Sequence, residues 1–287
     1  MKKVYILAGA AILFWSSMAT VSKIMLGSFS QYQLLCISAL FASLGLLVFN
    51  LFTGKLKLVK QYSAKDIFLM IATGLCGNFF YYVCYYSGAR LMPASTAFVV
   101  NYLWPVMSVV FACIILKEKL TVRKAIAFAI SFLGVVIISG DSLAALDKNL
   151  LIGTALCMTG AAFYGAFTAF NKKFPYETTV SMMFSFFASF VLSLLINLAM
   201  GADWSVSLPK LLGFGWNGLF SMAAGSVCWA LALKGGNTAK ISNLAYITPF
   251  LSLVWVFLFL HEPIAPLTLA GLAVILLGIF IQIKDKK

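Results

Sequence analysis

The groups in this sequence with chemistry to offer cluster at Asn101-Tyr102-Leu103-Trp104-Pro105, inside the apolar run from Pro93 to Leu116. Pro105 has no N–H to donate and its ring crowds the carbonyl four residues back, so the carbonyl of Asn101 loses its helical partner. In hydrocarbon such an acceptor is tolerated only against protein or a water-filled cavity, which makes this stretch a candidate lining for a solute path. A simple packing kink is the structural alternative. The same feature recurs. At an offset of 144 residues Tyr102 falls on Tyr246, Pro105 on Pro249, Ser108 on Ser252, Glu118 on Glu262 and Gly134 on Gly278, without a gap. Pro249 releases the carbonyl of Ala245 in the same way, so both prolines are hinge candidates.

Aromatic and amide side chains surround these positions. Asn78, Tyr81, Tyr82 and Tyr85 fall within about 100° of arc on a helix of 3.6 residues per turn, with Gly74 on the same face. Tyr85 and Tyr86, further along, would equally suit an aromatic belt at a membrane interface. Ala94, Ala97, Asn101, Trp104, Pro105 and Ser108 share a second face, mirrored by Thr238, Ile241, Ala245, Thr248, Pro249 and Ser252. Trp15 sits in Phe14-Trp15-Ser16-Ser17, Tyr164 in Phe163-Tyr164-Gly165, and Trp229 falls on Tyr85 at the same offset. The candidate solute-binding set is therefore Trp15, Asn78, Tyr81, Tyr82, Tyr85, Asn101, Trp104, Tyr164, Trp229, Tyr246 and Thr248. Carbonyls and an amide receive an ammonium group, and aromatic faces attract a cation or stack with a ring, so the expected partner is a small zwitterionic or neutral solute. An anion would find no cluster of Arg or Lys at that depth.

Catalysis has no comparable assembly. His261 is the only histidine, no Walker-type glycine loop is present, and the six cysteines (36, 76, 84, 113, 157 and 228) lie in apolar segments without CxxC or Cys/His spacing. We expect no enzyme, no metal and no cofactor. Gly235-Gly236-Asn237 reads as a helix-ending turn. Asp66, Glu118, Glu177 and Glu262 all fall at segment ends, where Glu118 and Glu262 are expected to cap or brace the turns after their own helices. Lys23 is expected to snorkel to the outer interface or, alternatively, to meet a solute carboxylate.

The elements that position these residues are set by composition. Of 287 residues 62% are hydrophobic and 10% charged, and the mean hydropathy is +1.00; this is an integral membrane protein. Ten apolar segments, at 4–26, 31–53, 65–89, 93–116, 121–139, 150–171, 178–200, 211–233, 238–260 and 264–283, each approach the roughly 20 residues a bilayer needs. The first is read as a spanning helix and not a signal peptide, since removing it would take a member from the repeat. The net charge of +13 is explained without nucleic acid: with a cytoplasmic amino terminus, only Lys23, Arg90, Lys148 and Lys210 of the 21 Lys and Arg residues fall outside. Both termini are then cytoplasmic. Five helices separate one copy from the next, an odd number, so the second copy is inverted. The expectation is an all-α membrane protein of ten transmembrane helices, two inverted five-helix repeats (about 1–140 and 149–287) forming one membrane domain around a central cavity. Its partners are the solute and the lipid bilayer. Oligomeric state is left open, a monomer being sufficient.

On Phe14-Trp15-Ser16-Ser17 and the paired Pro-to-Glu blocks ending at Glu118 and Glu262, the chain resembles the drug/metabolite transporter superfamily in its ten-helix EamA-type group. Asn101-Tyr102-Leu103-Trp104-Pro105, with Trp229, Gly236-Asn237 and Thr248-Pro249, is similar to the YddG-type aromatic amino-acid exporters. Many EamA-type members carry an arginine in the second helix, and Leu34-Leu35-Cys36-Ile37-Ser38-Ala39-Leu40 has none, as in the YddG type. The resemblance implies a basket-shaped bundle, alternating access, and export of amino acids, aromatic or bulky apolar, or related metabolites across the cell membrane. The alternatives are the same fold carrying a nucleobase, a vitamin or a toxic cation, and a receptor or scaffold that transports nothing.

Overall fold

The computed structural model describes residues 2–139, 147–235, 241 and 244–283. Within them the chain is helical, and no strand occurs among the described residues. The helices are α1 (Lys2–Leu26), α2 (Gln31–Phe52), α3 (Ala64–Leu91), α4 (Ala94–Ile115), α5 (Val122–Ile138), α6 (Lys148–Lys173), α7 (Thr178–Ala199), α8 (Leu208–Lys234), α9 (Ile247–Leu260) and α10 (Pro266–Ile283). Seven of them are long and apolar enough to cross a membrane, which makes this a multi-pass membrane protein. The Gly236-Asn237 part of the expected turn, Thr238, the start of the ninth segment and the lysines at 284, 286 and 287 lie outside the described residues.

Local sequence explains where the helices begin. Ser30 with Gln33 and Ser63 with Asp66 form capping boxes for α2 and α3, and Thr121, Asp147 and Glu177 cap α5, α6 and α7. Polar contacts between helices gather at the helix ends. At the end carrying Phe52 and Ala64, here the near end, Lys55 pairs with Glu177 and Tyr176 donates to Asp66 at 3.0 Å. At the far end, Arg90 reaches Gln31 at 3.2 Å.

Two helices contain π-helical stretches, Cys76–Phe80 in α3 and Trp216–Ala224 in α8. Each carries a buried asparagine that reaches a serine on a neighbour. Asn78 donates to Ser185 of α7 at 3.0 Å, and Asn217 donates to Ser38 of α2 at 3.1 Å and to Tyr86 at 2.7 Å. Ser38 and Ser185 lie 147 residues apart, as do Asn50 and Asn197. The two halves thus make the same contact, with a longer π stretch in the second. Tyr85 and Tyr86, which also suited an interfacial belt, are fully buried at 0% exposure.

Small residues set the closest approaches. A Cβ on Gly74 would come within 2.2 Å of Ser185, and one on Gly218 within 2.2 Å of the Ser38 carbonyl. Gly278 of α10 lies against Ser131 and Ala127 of α5, and Gly134 of α5 lies against Ile275 and Gly271 of α10. In lipid, where helices gain nothing from hiding apolar surface from water, such backbone proximity supplies the packing energy.

Replacing Gly278 by Leu should therefore lower stability by roughly 1–3 kcal/mol or more, since the Ser131 side chain and the Ala127 carbonyl both block the new side chain. Gly9→Ala, where no atom lies within 4 Å, should leave the melting temperature in detergent unchanged or raised. Equal losses at both sites would contradict this account of α5–α10 packing. A pH dependence also follows. Burial raises the carboxyl of Glu177, but hydrogen bonds from Lys55, Thr179 and the Val180 amide outweigh it, and the group ends below the ordinary carboxylate value. Its contribution, about 1 kcal/mol, is present above the unfolded carboxylate pKa and is lost as pH falls through the lower folded value. Melting curves on Glu177→Gln should show less acid destabilisation than the parent.

Candidate functional site

Both proline positions break their helices outright, where the sequence alone predicts a kink or a bend. In α4 the helix stops at Asn101, passes through a turn at Tyr102 and Leu103, and restarts at Trp104 with Pro105 in its first turn. Proline suits that position because the first helical N–H groups have no partner to lose. The second copy turns at Ala245 and Tyr246 before α9 begins at Ile247. The carbonyl that Pro249 cannot serve, that of Ala245, accepts the Tyr102 hydroxyl and the Thr248 N–H, the latter at 3.0 Å. One break therefore satisfies part of the other.

A cavity opens between the breaks, lined from α1, α3, α4, α6, α7 and α8 and from Ala245 and Thr248. Eight of the expected residues line it: Trp15, Asn78, Tyr81, Tyr82, Asn101, Trp104, Tyr164 and Thr248. Asn101 is 3% exposed. Its Nδ2 donates to the Tyr81 hydroxyl at 3.0 Å, while its Oδ1 accepts no hydrogen bond among the described residues. A buried acceptor in that condition costs free energy until a donor arrives. The ring of Trp104 meets Tyr164 edge-on with centroids 5.2 Å apart, and Tyr164 lies 5.0 Å from Tyr81. The close passage of α6 by α4 that permits this comes from Gly165, where a Cβ would come within 2.6 Å of the Met107 backbone.

Three expected residues stand one layer back. Tyr85 stacks behind Tyr81 at 6.1 Å, Trp229 packs on Trp15 at 5.3 Å, and Tyr246 is half-buried at the second break. Sequence reading missed Met18, Phe98, Tyr102, Phe167, Met182, Phe186 and Ser226, which also line the cavity. Tyr102 was part of the recurring motif, and its match with Tyr246 was the available signal. The others are ordinary apolar or small residues in apolar helices and carry no local mark. Among the described residues no lysine, arginine, aspartate or glutamate lines the cavity, and no cluster of metal-binding side chains occurs.

Of the two glutamates expected to cap or brace their own turns, one does so and one does not. Lys23 Nζ donates to the carbonyls of Ala89 at 2.6 Å and Met92 at 2.7 Å, at the end of α3. Glu262 does not brace its own turn. It accepts the N–H groups of Ala94 at 2.9 Å and Ser95 at 3.0 Å, and the Ser95 hydroxyl, capping α4 in the other half. Glu118 does brace its turn, through Lys124 at 3.5 Å, and also holds Lys172 of α6 at 2.7 Å.

Comparison with known proteins agrees with this architecture. A crystal structure shares 20% identity with the chain and superposes with a TM-score of 0.68, over 97% of this chain and 95% of that one; the likeness is one of fold. An uncharacterized transporter of Archaeoglobus fulgidus is 28% identical over the full length of both chains. The aromatic amino acid exporter YddG of Ancylobacter novellus is 23% identical over 62% of this chain and 63% of its own. A probable terminal-alkyne amino-acid exporter of Streptantibioticus cattleyicolor is 25% identical over 78% of this chain and 75% of its own. The family description EamA-like transporter matches twice, at residues 2–140 and 151–283. With both halves of the molecule so matched, the chain belongs to the EamA-like transporter family.

Proposed function

We propose that the protein is a secondary transporter that exports amino acids, aromatic or bulky apolar ones, across the cytoplasmic membrane by alternating access. The observation that carries this reading is the unpartnered Asn101 Oδ1 within an uncharged, aromatic-walled cavity at a broken helix. The break offers two poles. The carbonyl end of Ala94–Asn101 and Asn101 Oδ1 suit an ammonium group, and the N–H end of the half-helix from Trp104 suits a carboxylate. Between them, Trp104, Tyr164 and Tyr81 offer ring faces to an aromatic or apolar side chain. The names of the Ancylobacter and Streptantibioticus relatives support the same solute class.

Two inverted five-helix repeats, about 1–140 and 149–287, supply the exchange between access states, with both termini cytoplasmic. The 144-residue offset, the paired helix breaks, the two Asn–Ser contacts and the double family match support that reading. Among the described residues no carboxylate lines the cavity to bind a proton or a sodium ion, which supports a solute flux that follows the solute gradient.

Counterflow in proteoliposomes tests the proposal directly. Vesicles preloaded with unlabelled phenylalanine, tryptophan or leucine should take up the labelled counterpart, with Asn101→Ala and Trp104→Ala each reducing exchange at least about tenfold, the loss of one or two buried contacts. Exchange of a nucleobase or a quaternary amine in place of every amino acid would overturn the solute class. No exchange of any solute by well-folded protein would overturn transport itself.

A further inference from the structure

The cavity is closed more tightly on one side than on the other. In the far half of α4 every residue from Ala94 to Asn101 is buried, whereas from Trp104 to Ile115 only Val106 is. The same gradient runs along α3, where Ala64–Leu75 buries Met70 and Gly74 and Tyr81–Leu91 buries six residues. Something holds the far ends together.

Three contacts converge there. Glu262, after α9, caps the first N–H groups of α4 and accepts the Ser95 hydroxyl. Lys23 of α1 holds the last carbonyls of α3. The hydroxyls of Thr96 and Thr268 stand 3.4 Å apart, joining α4 to α10. The carboxylate meets the positive end of α4 and the ammonium the negative end of α3, so each charge complements the helix terminus it reaches. Glu262 follows His261, whose φ of 52° is left-handed, a costly conformation for a residue with a Cβ. Its counterpart in the other half, Lys117 before Glu118, also has a left-handed φ, of 56°. Yet Glu118 is engaged by Lys172 and Lys124. Corresponding turns thus present two glutamates: Glu118 pairs with lysine side chains, while the one at the closed end caps the backbone of the other half's α4.

From this we infer that Glu262, with Ser95 and Lys23, is a clamp that keeps the far end shut and that must release α4 each time the cavity opens there. The inference rests on the transport reading for its purpose, and it names Glu262 as a positioning residue that touches no solute. Release exchanges hydrogen bonds to a charged group for water, which makes opening reversible and rare in the closed protein.

Two measurements test it. In the first, Thr96→Cys protein in proteoliposomes is labelled with a membrane-impermeant maleimide and followed by site-resolved mass spectrometry, with and without Glu262→Ala. Labelling at position 96 should quicken about tenfold when the clamp is removed; where Glu262→Ala fails to fold, Ser95→Ala takes its place. Equal rates would overturn the clamp. In the second, Thr96→Cys/Thr268→Cys is oxidised and assayed for counterflow. Exchange should stop in the cross-linked protein and return on reduction, whereas exchange continuing in fully cross-linked protein would overturn the requirement that this end opens. If the reduced protein exchanges no solute, the transport reading fails, and the labelling comparison still decides whether Glu262 holds the end closed.

Discussion

A backbone carbonyl without a partner inside a membrane has nowhere to turn but the protein itself, and the centre of this molecule is arranged around that constraint. Pro105 and Pro249 interrupt two helices at corresponding points, and the Ala245 carbonyl left by the second is taken up by Tyr102 beside the first. The bond ties the two halves at the level of the cavity. It also leaves the polar groups of Asn101 beside the space between the breaks, where the amide is held by Tyr81 on one side and unmet on the other.

The rest of the bundle serves to hold those breaks at a fixed separation. Gly165 brings α6 close enough to α4 that the rings of Trp104 and Tyr164 meet edge to face at the cavity, and Gly134 and Gly278 bring α5 against α10. The π-helical stretches place the side-chain N–H donors of Asn78 and Asn217 on serines of neighbouring helices. Ion pairs and caps are confined to the ends, where charge is inexpensive. The two ends differ in kind, Glu262 sitting on a helix terminus and Glu118 on lysines.

How much of this was legible depends on the range of the physics involved. The offset relating Pro105 to Pro249 is a pattern in one dimension, and it marked where two helices are interrupted, while helical periodicity and aromatic content marked cavity residues such as Asn78 and Tyr81. It failed for Asn217, whose counterpart Asn78 lies 139 residues away, because the π stretch from Trp216 to Ala224 is longer than that from Cys76 to Phe80 and shifts the register. Trp229 and Tyr85, matched by the ungapped offset, sit behind the cavity wall.

Hydropathy, charge placement and the two prolines, read from the chain alone, settle that this is a helical membrane protein and where two of its helices are disturbed, because burial in lipid and the missing proline N–H act on a residue wherever it goes. The partners were decided only in three dimensions. Glu262 lies 168 residues from Ala94, Tyr102 lies 143 from Ala245, and nothing local distinguishes a glutamate that braces its own turn from one that caps a distant helix. Hydrogen bonds are short and directional, so their pairing follows from which helices pack side by side, and that is set by the whole bundle.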